Sequence, residues 1–383
     1  MNILIIGNGF DLAHDLPTKY ENFLDFTNVY LEKTCFDSKY TDSFNEYFER
    51  IQKGNPSLYE EIGSLIKDNV WLKHFIAVYE VRRKDGKIGW IDFESEISTA
   101  IQALDGAIST IDGYLRKGKD RGRMEAYQFE RLKYLIDRET LRFDAVYFGM
   151  NSLSGYREQF LDDLNKLTRC LEIYLSDYIN NLSVSKRLPD ILGLKVDKVL
   201  SFNYTNTYER IYGKDNPDIE YDYIHGKADI NHDVNSCQQV LGIDEYLPEG
   251  VRDKNTDFIQ FKKFYQRIYK KTGCKYVDWL EEYETNNIGK YASLESEDLN
   301  VYIFGHSLDV TDEDILRRFI LDEYKKALRG DGLVVRTTIF HFNQDALGKQ
   351  IANLVKVIGQ DNLISMVHGS DAKIILQQQQ DAV

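Results

Sequence analysis

A chain of 383 residues, 43% hydrophobic and 29% charged with only five prolines, has apolar material for a large core and is neither disordered nor fibrous. Its formal charge of −14 opposes non-specific nucleic-acid binding, which Lys and Arg carry by neutralising phosphates. Four scattered cysteines, Cys35, Cys170, Cys237 and Cys274, form no C-x-x-C pair, which argues against a zinc knuckle and fits buried thiols in a reduced compartment.

The first element is a buried strand, NILII, that breaks on Gly7-Asn8-Gly9. Closely spaced glycines let a chain turn sharply and aim backbone N–H groups at an anion; a tight turn capping a central strand explains them equally well. Leu12 stands where the third glycine of the G-x-G-x-x-G dinucleotide fingerprint is required. Thr18 and Glu21 have capping-box spacing, followed by Tyr20, Phe23, Leu24 and Leu31 at helical intervals.

About 150 residues of mostly helical pattern come next, far more than a simple crossover of roughly 10 to 40 residues needs. FESEISTAIQALDGAI and REQFLDDLNKLTRCLEIYLSDYI are typical of them, and we expect a helical insertion. Trp90-Ile91-Asp92-Phe93-Glu94 puts two carboxylates at a helix start, where they complement the dipole or serve as second-rank catalytic candidates. Basic residues cluster in Arg116–Arg123 and in FKKFYQRIYKK, residues 261–271, which read best as solvated faces.

Further strand-length runs are KVLSFNYT, YDYIHG, QQVLGID, NVYIFGHS and VVRTTIFHFN. A second helical, polar insertion is expected over about 253–296. Helical faces follow the last two strands, with Leu316, Phe319, Ile320 and Tyr324 after Thr311, then Leu347 to Ile358 with Gly359 as a stop. Gln377–Gln380 reads as a frayed end.

Strand then helix, repeated, predicts an α/β fold with a doubly wound, Rossmann-type parallel sheet. We assign that domain to residues 1–35 and 190–383, with a helical domain over 36–189. Ligands of open parallel sheets bind at the carboxyl ends of the strands, so Gly7, Asn203, His225, Gly305 and Asn343 are expected to converge. Asn203 offers a neutral amide that both donates and accepts, and His225 a base near neutral pH. Either is more often a turn or structural residue when taken alone. No G-x-S-x-G elbow and no H-E-x-x-H pair occurs, so hydrolases of those classes are disfavoured. No apolar run reaches about 18 residues and no signal peptide precedes the first strand, so a cytoplasmic protein with no membrane partner is expected.

Taken in order, ILIIGNGFDLAHDLPTKYENFL, SFNYTNTYE, YIHGKAD and IFGHSLDVTDEDI resemble the blocks of the AbiH family of bacterial phage-abortive-infection proteins. They are also similar, more distantly, to the blocks of sirtuins and sirtuin-like NAD hydrolases. The second resemblance implies a sirtuin-like fold with NAD as substrate; with no C-x-x-C pair and no H-E-x-x-H pair, no metal is expected. It implies that Gly7 and Gly9, with Asn8, form the phosphate turn. Pro17 then lies on a loop that closes over the cofactor. Asp11 stands near a sirtuin Ser or Ile, and Lys19 near an arginine. Asn203 holds the nicotinamide ribose and attacking water, His225 is the catalytic histidine, and Gly305 with Ser307 makes a later dinucleotide contact; Asn343 is a cofactor-binding candidate from its place at a strand end alone. The absent C-x-x-C pairs put the sirtuin zinc module and protein deacylation aside.

The function so implied is an antiphage effector that hydrolyses NAD with nicotinamide release. Its expected partners are NAD or a related nucleotide, a phage-derived trigger and a second copy of the chain. The alternatives are a non-catalytic nucleotide or ADP-ribose sensor on the same fold, and a metal-dependent nuclease toxin using Asp92 and Glu94.

Overall fold

The computed structural model describes residues 1–84, 91–117, 124–136, 150–287, 298–326, 335–368 and 372–380. The chain divides into two compact units, one of residues 1–18, 179–227 and 271–383, the other of 19–178 and 228–270.

The first unit is built on six parallel strands: β1 Asn2–Ile6, β2 Lys198–Ser201, β3 Glu220–Tyr223, β4 Leu299–Phe304, β5 Val335–His341 and β6 Ile374–Gln378. They lie in the order β3-β2-β1-β4-β5-β6, that of dinucleotide-binding sheets, so the direction of winding reverses between β1 and β4. Strand residues alternate between two apolar layers, as a period of two requires. Ile3, Ile5, Leu200, Val301, Ile303 and Ile339 meet the helices Lys275–Asn287, Gln344–Ile358 and Gln360–Val367 on one face. Leu4, Ile6, Val199, Phe304 and Phe340 meet Phe10, Ile191, Tyr208 and Tyr212 on the other. A sheet covered on both faces needs near-continuous apolar strands, which is why NILII carries no alternation.

The structure departs from the sequence pattern at three places in these segments. QQVLGID is no strand: its one pairing is a single bridge from Ile243 to Lys262, in the other unit. The glutamine-rich end is ordered, since β6 pairs in parallel with β5 from Ile374 to Gln378 and Ile374 is buried in the core. Low-complexity side chains are tolerated there because only one face of this edge strand is covered. The segment 275–287 does not belong to a polar insertion: Tyr276, Trp279, Leu280 and Tyr283 pack under the sheet, and the Trp279 indole donates to Glu220 at 2.9 Å.

The second unit is helical, with Tyr20–Glu32, Thr41–Gly54, Pro56–Ile66, Val70–Lys84, Phe93–Arg116, Ala126–Leu132 and Met150–Ile173 as its main helices. It starts at Lys19 rather than near residue 36, because Phe23 and Phe26 of the first of these helices pack on Phe93, Phe44, Phe48 and Tyr174. Aromatic rings dominate this core, including a stack of Phe75 on Phe93 at 4.0 Å. Arg169 is buried with Glu172 at 2.8 Å, and Glu172 in turn meets His232 at 2.6 Å, so the buried charges compensate one another.

The capping box of Thr18 and Glu21 does not form. The Lys19 N–H donates to Asn22 Oδ1 at 3.2 Å, and Glu21 accepts from Ile91 N–H. The basic run 261–271 is not a solvated face either. Lys262 and Lys263 are buried against Glu245 and Glu94 at 2.8 and 2.6 Å, while Phe264, Ile268 and Tyr269 are exposed. The long lysine stems turn inward because each has a carboxylate to neutralise it. In the other basic cluster, residues 118–123 lie outside the described residues, as does Trp90.

Candidate functional site

Register decides which residues share the sheet's carboxyl edge. Ile6 pairs with Ser201 and with Phe304, and Ser201 pairs with Tyr223, so β1, β2, β3 and β4 reach one level together. Two residues beyond that level stand Asn8, Asn203, His225 and His306. The ladder runs on into these turns, with Phe202 N–H donating to Ile6 at 2.9 Å and Ile224 N–H to Ser201 at 2.9 Å. This is the edge at which open parallel sheets hold ligands.

Gly7 and Gly9 meet the turn after β4 backbone to backbone. The Gly7 N–H donates to the Phe304 carbonyl at 3.1 Å and the Gly9 N–H to the Gly305 carbonyl at 2.8 Å. A Cβ on Gly9 would stand 2.7 Å from Gly305 Cα, and one on Gly305, whose φ is +69°, would stand 2.2 Å from the Phe10 nitrogen. This corrects the anion-nest reading of the glycines: their N–H groups point at β4, and their small size serves the close approach of two turns at the switch point.

Asn203 joins the same turn. Its Nδ2 donates to the Gly7 carbonyl at 2.9 Å, and its backbone N–H bonds Ser201 Oγ at 3.1 Å. The rings of its neighbours Phe202 and Tyr204 lie 5.7 and 6.3 Å from that of His225. Asp11 is buried behind this segment, where Thr205 Oγ1 donates to it at 2.7 Å and its second oxygen has no hydrogen-bond partner. Burial lifts its carboxyl from 3.8 to about 6, against the opposing pull of Thr205, Thr207 and the Arg210 charge. Pro17 is buried, and the next residue ties its segment to the first turn, Thr18 Oγ1 donating to Asn8 Oδ1 at 2.6 Å.

His225 Nε2 faces Asp312 Oδ1 at 3.5 Å, and the other oxygen of Asp312 faces His306 Nε2, also at 3.5 Å. One carboxylate thus stands between two imidazoles. His306 is fixed by its own loop: Gly305 and Leu308 both have positive φ, the Leu308 N–H donates to His306 Nδ1 at 2.9 Å, and Phe202 packs edge-on at 4.4 Å. The Asp309 side chain accepts from Thr311 N–H at 3.1 Å and starts the short helical turn Val310–Asp312 that carries Asp312. His306 and Asp312 are absent from the residues singled out by sequence. The signal was the likeness of IFGHS to YIHG, each a strand running into a histidine beside a glycine; Asp312 is masked by the acidic run DEDI, which reads as dipole compensation.

The remaining candidates do other work. Asn343 caps the helix Gln344–Ile358, accepting from Ala346 N–H at 2.9 Å, and Ser307 is exposed with its carbonyl bonded by Asn353. Lys19 opens the helical unit and is exposed. Also in that unit, Asp92 accepts from Glu94 N–H at 3.0 Å, and Glu94 pairs with Lys263. Both carboxylates therefore have structural partners at the start of the helix Phe93–Arg116. Among the described residues no group of three or more His, Cys, Asp or Glu side chains is placed to hold a metal ion, and no helix is long and apolar enough to cross a membrane.

No curated protein and no solved structure matches the chain. One family model does, described as bacteriophage abortive infection AbiH, over residues 3–329, which takes in the strands β1 to β4 and every residue of the Asn203, His225, His306 and Asp312 group. The chain therefore belongs to the AbiH family, and its role lies in phage abortive infection.

Proposed function

We propose that this protein binds NAD at the carboxyl edge of β1 to β4 and hydrolyses it, so that an infected cell is halted by loss of its nucleotide pool. The observation that carries the reading is the common level of Asn203 and His225 beyond β2 and β3, with an acidic partner, Asp312, beside the histidine. Cleaving the nicotinamide–ribose bond passes through an oxocarbenium-like centre, for which orientation, exclusion of water from all but one position and a base are sufficient. In this scheme Asn203 orients the ribose and the water. The water oxygen bonds C1′ as the C1′–N bond breaks, nicotinamide leaves as a neutral base, and His225 takes the water's proton. The test is nicotinamide release from NAD by the purified protein. Release that is abolished in Asn203→Ala and His225→Ala supports the assignment, and turnover unchanged in both overturns it.

A nucleotide or ADP-ribose sensor is favoured by one observation. The Asn203 amide nitrogen already donates to Gly7, which suits the residue to holding the turn rather than a ribose. That reading predicts calorimetric affinity for nucleotide with no nicotinamide released at any protein concentration.

A further inference from the structure

The two histidines beside Asp312 are not equivalent, and their hydrogen bonds say how they differ. A backbone N–H can only donate, so His306 Nδ1, which receives the Leu308 N–H at 2.9 Å, carries a lone pair and no proton. The proton of neutral His306 is then on Nε2, aimed at Asp312 Oδ2. In this arrangement Nε2 of His306 is a donor and Nδ1 an acceptor.

That donor turns Asp312, whose other oxygen faces His225 Nε2 at 3.5 Å. A carboxylate accepts and does not donate, so it selects the His225 tautomer with its proton on Nε2. The free lone pair of His225 is thereby placed on Nδ1, and Nδ1 is a buried nitrogen with no hydrogen-bond partner. Such an orphaned atom calls for an explanation, and a donor supplied by a ligand is the one that fits a residue at a ligand-binding edge. At 3.5 Å each ring nitrogen faces the carboxylate at ion-pair distance, from which a small side-chain adjustment closes a direct N–H···O bond.

We infer that Leu308 N–H, His306, Asp312 and His225 form a directional hydrogen-bond relay in which His306 and Asp312 are positioning residues and Nδ1 of His225 is the proton-accepting atom. The inference rests on the reading of His225 as the base in NAD hydrolysis, and it concerns which atom acts and what holds it.

The tautomers are measured directly by long-range proton–nitrogen NMR on the full chain labelled with 15N-histidine. The seven histidines are distinguished by single substitution, among them His225→Gln and His306→Gln. In the wild type both His225 and His306 are expected as the neutral form protonated on Nε2. In Asp312→Asn the amide can donate to His225, so His225 is expected to lose that tautomer while His306, held by the Leu308 amide, retains it. Nicotinamide release should fall on the order of 10²- to 10⁴-fold in kcat with KM little changed. A wild-type His225 protonated on Nδ1, or a His225 tautomer unmoved by Asp312→Asn, overturns the relay. If Asp312→Asn does not fold, the wild-type tautomers decide alone. Tautomers as stated without nicotinamide release uphold the relay and sink the NAD reading; normal release with the opposite tautomer does the reverse.

Discussion

Gly9→Ala separates the two uses to which a glycine turn can be put. The added methyl would stand 2.7 Å from Gly305 Cα and 2.8 Å from the Gly305 carbonyl oxygen, both backbone atoms that cannot swing aside. Ordinary carbon contacts are about 3.5–4.0 Å, so the turns after β1 and β4 must part by about 1 Å. That separation breaks the bonds from Gly7 N–H to Phe304 and from Gly9 N–H to Gly305. Losing two bonds, with their buried groups left partly unsatisfied, costs about 2–5 kcal/mol. Hydrogen–deuterium exchange on peptides spanning residues 2–12 and 299–308 reads this unit alone, which matters in a chain of two units that need not unfold together. The opening free energy of β1 and β4 should fall by that amount without any nucleotide present. Gly348→Ala is the control: it lies in the helix Gln344–Ile358 with open space around its Cβ and should gain about 0.5–1 kcal/mol. Exchange unchanged in Gly9→Ala, together with a lost affinity for NAD, would show that the glycine serves the ligand and that the packing argument is wrong.

Three further outcomes follow from the same geometry. Asp11 has a folded-state pKa of about 6 against 3.8, so folding favours its protonated form and its charge weighs against the fold increasingly as pH rises from about 4 to 6. About two pKa units at roughly 1.4 kcal/mol each put the penalty near 3 kcal/mol at pH 7. Asp11→Asn should therefore be the more stable protein at pH 7 and about equal to wild type at pH 4 in urea titrations; the variant comparison is needed because Asp25 is raised in the same direction. Asn203→Ala removes the donor to the Gly7 carbonyl and should cost about 1–3 kcal/mol, and Asn203→Asp more, since it sets a carboxylate against that carbonyl; equal stability of the two by thermal unfolding would contradict the bond. Ile374→Ala should lower stability by about 2–4 kcal/mol, an outcome that a frayed carboxyl end would not produce.

The strands were legible where both faces are buried, because an unbroken apolar run such as NILII or NVYIF admits few other readings. QQVLGID has the same look and is no strand, since a short buried segment in a loop needs the same side chains. β6 escaped notice for the opposite reason, its glutamines being affordable only on an edge. The junctions between the units were misplaced because helix Tyr20–Glu32 and helix Lys275–Asn287 carry similar patterns but pack on different partners, which no local period reveals. In the site, Asn203 and His225 could be picked out from their place after strands. The role of Asp312 could not, since it depends on the turn from Gly305 to Asp312 curling back to two imidazoles that lie 81 positions apart in the chain.

The interruption of the sheet by the helical unit has a consequence for synthesis. β1 is made first, yet its two neighbours, β2 and β4, begin at Lys198 and Leu299. At roughly 5–20 residues per second a ribosome takes about 15–60 s to go from the first strand to the fourth. Until β2 is made, Ile3, Leu4, Ile5 and Ile6, all destined for burial, have no strand to pair with, and on the β4 side they wait for the whole interval, while helices of the other unit can already close on one another. The carboxyl-edge cluster is completed only when β4 comes in beside β1 and the turn bearing His306 and Asp312 arrives, with β5 and β6 still to follow. The nascent chain therefore cannot display the cluster before most of the protein has been made.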